Sequence, residues 1–172
     1  EEVETDADVR HYRRYMGDEA EKEYRNKWDM DESIFPGEIT SEMTVKDYKM
    51  VYYNPWDAQY LSCLVVEYDD ESYALETKRL ENYPSTEYKG YYGAEGFPEN
   101  YELLAMNADS YHGFVYALTD GKKEKNEIIY VEIIFCNYFM DIDYEEYINK
   151  DYLPVGFDAS RDNAYRKQQI KD

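Results

Sequence analysis

The chain has 172 residues, long enough for one domain with a sizeable core. Its 39 Asp and Glu against 19 Lys and Arg leave a net charge of −20, spread as −6 over residues 1–35 (12 acids, 6 bases) and −14 over 36–172 (27 acids, 13 bases). A surface this negative repels phosphate, which excludes nucleic acid and anionic lipid as natural partners, and no segment is long and apolar enough to insert in a membrane. A basic protein partner fits, and so does simple solubility.

The 22 tyrosines against 6 phenylalanines are the compositional oddity. Tyrosine combines apolar area with a polar handle and suits half-buried sheet faces and interfaces. The first residue is Glu rather than Met, and EEVETDAD is polar and acidic. A mature exported chain, or one trimmed of a leader, would open in this way.

In chain order, residues 5–28 read as an N-terminal helix. Val9, Tyr12, Met16, Ala20, Tyr24 and Trp28 recur at spacings of three or four, and Asp6 and Asp8 suit the first turn. Gly17-Asp18 interrupts the stripe, and Asp18 with Glu21 makes a capping box, so two shorter helices compete with one. Pro36-Gly37 marks a turn. Residues 44–53 alternate, with Tyr48, Met50 and Tyr52 on one face, and Lys46, Asp47 and Lys49 suit a strand toward an edge. Residues 61–68 are the next strand, and 70–82 a helix whose Asp70 and Glu71 precede Lys78 and Arg79 in the order the macrodipole favours. Residues 83–100 form a long loop with three glycines and five aromatics, and 101–106 a further strand.

The core of the fold is a hairpin over 114–139. FVYALT and EIIYVEIIFCNYF flank the turn DGKKEKN. On the second run Ile129, Val131, Ile133 and Phe135 share one face. Ile128, Tyr130, Glu132, Ile134 and Cys136 share the other, so both faces of a central strand are at least partly covered. Asp143 and Glu146 make a capping box for a short helix through Lys150, and a C-terminal helical tail covers 158–171. The expected architecture is a single α+β domain over 1–172: a largely antiparallel sheet of about five strands, with helices mainly on one face.

Chemistry is sparse. Cys63 and Cys136 lie in apolar runs and read as buried free thiols in one sheet. A dyad of Cys63 with His112 meets apolar neighbours that raise a thiol pKa. His11, beside three arginines, reads as solvated. Asp141, Asp143, Glu145 and Glu146 lack the spacing of a calcium loop, and capping explains them, as it explains Asp69, Asp70 and Glu71. Gly90, Gly93 and Gly96 lack the lysine and spacing of a phosphate loop. Glu132, a carboxylate on an otherwise apolar face, is the one residue suited to a raised pKa and acid catalysis. Without a second carboxylate, a lysine partner or half coverage of that face explains it better. No catalytic residue, metal ligand or cofactor is therefore assigned. Tyr88, Tyr91, Tyr92 and Phe97, interleaved with glycines, read as a stacking surface for protein or carbohydrate, with at least one of Tyr91 and Tyr92 exposed. The competing reading makes them a lid on the sheet.

LSCLVVEYDDESYALETKRLEN and GFVYALTD…NEIIYVEIIFCNYF resemble uncharacterised acidic, tyrosine-rich domains of clostridial-type bacteria, which often follow a lipoprotein signal. The resemblance covers roughly residues 44–139. It implies an extracytoplasmic, lipid-anchored setting and assigns no activity. The expected role is non-enzymatic binding. A cytoplasmic immunity-type protein that neutralises a basic toxin is the alternative, and an unrecognised hydrolase the third.

Overall fold

The structure, a computed structural model, describes residues 2–171. Six strands form one open sheet: β1 (Glu4–Asp6), β2 (Met43–Tyr53), β3 (Gln59–Tyr68), β4 (Tyr101–Asp109), β5 (Gly113–Asp120) and β6 (Glu127–Ile134). Their spatial order is β1-β2-β3-β6-β5-β4, and every neighbouring pair is antiparallel. The sixth strand, beyond the five expected, is the three-residue β1, too short to show a period. It pairs only with Met50, Val51 and Tyr52, so the stretch of β2 before them lies on the sheet edge. Lys46, Asp47 and a bulge between Val45 and Asp47 blunt that edge.

The central hairpin forms as the alternation dictates, with β6 between β3 and β5. It ends at Ile134 rather than 139. Asn137 and Tyr138 take left-handed φ values of 63° and 66°, and a bridge from Cys136 to Phe139 closes a turn there. Gly113 opens β5 at φ 104°, where an added Cβ would meet the Ile133 carbonyl at 2.1 Å, so only glycine lets β5 approach β6 there.

Four short helices accompany the sheet: α1 (Tyr12–Tyr15), α2 (Asp70–Glu81), α3 (Tyr144–Tyr147) and α4 (Ala164–Gln169). Asp69 caps α2 by accepting from the Ser72 N–H at 2.7 Å. The expected helix over 5–28 does not form. In its place are β1, a single α-helical turn, and 3-10 turns at Val9–His11, Lys22–Tyr24 and Lys27–Asp29. Gly17 at φ 84° breaks any helix, and residues 26–29 all have positive φ. The apolar stripe still reaches the core, but through successive turns. The tail over 158–171 contributes only α4. Asp143 precedes α3 without a side-chain cap, and the Glu146 N–H bonds to its backbone carbonyl instead.

Both faces of the sheet are covered, which corrects the expectation of helices mainly on one. The first face carries Tyr48 and Met50 of β2, Leu64 of β3 and Tyr130 of β6. It packs under the N-terminal segment (Tyr12, Ala20, Ile34, Phe35) and Leu80 of α2. The second face carries Leu61, Val131, Phe114 and Tyr116 under Tyr92, Ala94 and the C-terminal segment, including Tyr144 of α3, Leu153 and Phe157. Two short apolar patches far apart in sequence, each unimpressive alone, make the second cover.

Candidate functional site

Glu132 sits on β6 on the first face, fully buried. Its register partner on β3 is Ser62, whose hydroxyl donates to Glu132 Oε2 at 2.7 Å. The same oxygen accepts from Lys27 Nζ at 2.8 Å. Lys27 Nζ donates also to Glu32 Oε2 and to the Tyr15 carbonyl, both at 2.6 Å, so three donors meet three acceptors. The left-handed run Asn26 (66°), Lys27 (22°), Trp28 (57°) and Asp29 (63°) carries this lysine to the sheet. Such backbone costs roughly 1–2 kcal/mol per non-glycine residue, and the fully bonded ammonium offsets it.

The cluster holds two carboxyls and one ammonium. Burial and then the charge of Glu132 push the Glu32 carboxyl up to about 9. Burial works against the charge of Glu132 too, but Lys27, with hydrogen bonds from Glu32 and Ser62, outweighs it and holds that carboxyl below its ordinary range. Burial likewise opposes the charge of Lys27, and the two carboxyls more than offset it, so its pKa rises. At neutral pH the cluster is a neutral Glu32 beside a Lys27–Glu132 ion pair. Glu132 Oε1 and the Tyr48 hydroxyl are both buried without a partner among the described residues.

Glu32 also looks outward. It forms part of the lining of a groove of about 1040 Å³ between the N-terminal segment and α2. Seven carboxyl side chains line it (Asp18, Glu19, Asp29, Asp31, Glu32, Glu38, Glu76) against three guanidinium groups (Arg13, Arg25, Arg79). Arg79 is committed to Glu76 and to the carbonyls of Ser33 and Ile34, and Arg13 to Glu19. Asp18 and Asp29 are exposed, with no ion pair among the described residues. Leu75, 66% exposed, adds an apolar lip.

The aromatic loop behaves differently from its sequence reading. Tyr92 is 1% exposed, stands edge-on to Phe135 at 5.0 Å and donates from its hydroxyl to the Ser110 carbonyl, so it touches no partner. Tyr91 is half-buried beside Tyr165, so of these two rings only Tyr91 keeps part of its surface open. Tyr88 and Phe97 are half-buried against each other, and Phe97 lies on Tyr116. The loop is zipped to the C-terminal segment by Glu95 N–H to Val155 O (3.0 Å) and Val155 N–H to Gly96 O (2.7 Å). Gly93 and Gly156 face each other too closely for a Cβ on either. These rings lid the second face.

Cys63 is a buried free thiol, and burial pushes its pKa up, away from nucleophilic use. Cys136 is free but only half-buried, just past the end of β6. No group of three or more metal-ligating side chains is present among the described residues. Among them no helix is long and apolar enough to cross a membrane. His11, expected to be solvated, bonds through Nδ1 to Asp6 at 2.8 Å.

The sequence picked out Glu132 because a lone carboxylate interrupts an apolar face. It missed Lys27 and Glu32, which lie about a hundred residues earlier in an irregular segment with no local signal of burial. The chain matches no family model, no curated protein and no solved structure.

Proposed function

We propose that the chain is a non-enzymatic binding domain whose groove takes a basic segment of a protein partner. The observation that carries this is the groove's lining: even with Glu32 neutral, six carboxylates face three guanidinium groups, two of which are already paired. A lysine- or arginine-rich segment meets unpaired Asp18 and Asp29 and rests its side-chain stems on Leu75. Basic toxins belong to this class of partner too, so the groove serves the cytoplasmic immunity-type alternative equally and does not separate it from the exported reading. A role in catalysis fits less well. Lys27 and Glu132 are sealed from solvent, and a catalytic group must reach the atoms it transforms.

The extracytoplasmic setting implied by the resemblance belongs to the same proposal. A hydrophobic leader ending in a small-residue–Cys motif upstream in the native gene supports it, and a plain Met start sinks it.

The binding test uses a fluorescein-labelled peptide of alternating lysine and glycine, followed by anisotropy at low and at physiological salt. Saturable binding that weakens with salt is expected, and the double variant Asp18→Lys/Asp29→Lys should lose about tenfold in affinity or more. Unchanged affinity in that variant, or no binding at low salt, removes the groove as the site.

A further inference from the structure

At the end of the sheet where β2 turns into β3 and β6 stops, surface features gather that the groove does not use. Both tryptophans of the chain are here. Trp56, in the β2–β3 turn, is 93% exposed. Trp28 donates from its indole N–H to the Ala58 carbonyl in that same turn at 2.9 Å and stacks on His112 (5.5 Å, 8° between planes). Tyr111 stands edge-on to His112 at 4.8 Å.

A polar rim accompanies the rings. The Asn137 amide donates to Asp57 Oδ2 at 2.5 Å and accepts from the Tyr111 hydroxyl at 2.8 Å. This leaves one Asn137 N–H and Asp57 Oδ1 without hydrogen bonds among the described residues. His112 Nδ1 lies 3.0 Å from the Phe135 carbonyl. A carbonyl can only accept, so Nδ1 donates there and Nε2 is left for a ligand hydroxyl.

The backbone is strained at the same place. Of the eight non-glycine residues with positive φ among the described residues, Trp28, Asn137 and Tyr138 are here, and Lys27 reaches inward from beside Trp28. Lys27 accounts for part of that strain, but Asn137 and Tyr138 belong to another segment and hold a different part of the rim. Strain that collects where several loops converge marks sites where side-chain placement matters more than local stability.

We propose that this end of the sheet is a saccharide-binding platform. Neutral sugar rings lay their C–H faces on Trp56 and Trp28, and their hydroxyls bond to Asp57, Asn137 and His112 Nε2. The chemistry of the surface selects that ligand. Flat aromatic faces suit a pyranose, and a rim of carboxylate, amide and imidazole matches hydroxyls that both donate and accept. The net charge of −20 excludes sulfated or phosphorylated ligands. A basic protein segment meets more carboxylates in the groove than the one that Asp57 supplies here. The platform is independent of the groove, so either can fail without the other.

Because Trp28 and Trp56 are the only tryptophans, tryptophan emission excited at the red edge, where the 22 tyrosines do not absorb, reports on this end alone. The probes are oligosaccharides of glucose, N-acetylglucosamine and mannose, titrated with fluorescence and calorimetry in parallel. A saturable change with at least one series is expected. Trp56→Ala should weaken it about tenfold or more with the melting temperature unchanged, and Asn137→Ala should weaken it as well. The groove variant Asp18→Lys, remote in sequence from every residue of the platform, should bind the sugar as before. No saturable response to any series overturns the proposal, as does binding that survives both Trp56→Ala and Asn137→Ala. Loss of the basic peptide instead of the sugar in Trp56→Ala also overturns it, in favour of a protein partner.

Discussion

Glu32 keeps its proton at neutral pH because it is nearly buried and shares one lysine with a second carboxyl. Its folded pKa of about 9 stands above the ordinary 4.5, so between those values the folded chain binds a proton that the unfolded chain has lost. Stability therefore falls as pH rises through that window. The other two members act outside it. Glu132, with a depressed pKa, contributes stability that is lost as pH falls below its ordinary 4.5. Lys27, with a raised pKa, contributes stability that is lost as pH climbs above 10.5. Melting curves from about pH 6 to about pH 9 should show a decline that Glu32→Gln largely removes, because the amide is neutral throughout. Equal slopes in the two proteins would show that Glu32 is ionised at neutral pH. The alternation of β6 placed Glu132 on the face with Tyr130 and Ile134, and a lysine partner was one of the readings left open, but its full burial was not legible. Nor was the identity of that lysine, because Lys27 lies 105 residues away and nothing beside it sets it apart from a surface lysine.

Elements were legible in proportion to how far local pattern decides them. Of the five longer strands β2 alternates, while β3, β5 and β6 are short apolar runs rich in β-branched and aromatic residues and buried almost throughout. α2 announces itself by Asp69, its acidic first turn and its basic last turn. The N-terminal segment carries an equally regular apolar stripe and is not a helix. The Tyr15 carbonyl accepts from the Lys27 ammonium at 2.6 Å, so a tertiary bond takes an acceptor a helix would use, and the Tyr12 hydroxyl ties the segment to the Pro36 carbonyl. α2 should in turn depend on its cap. Asp69→Ala leaves the Ser72 N–H to solvent and should cost about 1 kcal/mol in urea unfolding, with the m-value unchanged. A cost near zero would mean that Leu80, packed under the first face, holds the helix without its cap.

On the scale of the whole molecule, the acid excess and the two filled faces pull in opposite directions. The core is contained on both sides of one sheet, and tyrosines supply much of it while their hydroxyls find partners at the margins, as Tyr116 does at the Tyr152 carbonyl and Tyr60 at the Glu23 carbonyl. Outside that core a net charge of −20 repels itself. Exposed ion pairs such as Arg10–Asp8 and Lys123–Glu102 return little, since pairs of this kind are worth about 0–1 kcal/mol each. Salt screens exposed charges and leaves the enclosed Lys27–Glu132 pair nearly untouched, so its net effect on the fold should be favourable. Raising sodium chloride from about 0.02 M to about 0.2 M should lift the melting temperature by about 2–4 °C, the shift expected for roughly 1 kcal/mol in a chain of this size. The same salt should weaken a basic peptide in the groove, so fold and binding respond with opposite signs. A melting temperature that falls with salt would mean that attraction between exposed pairs outweighs the repulsion. The groove carboxylates would then be paired within the chain, with little charge left for a partner.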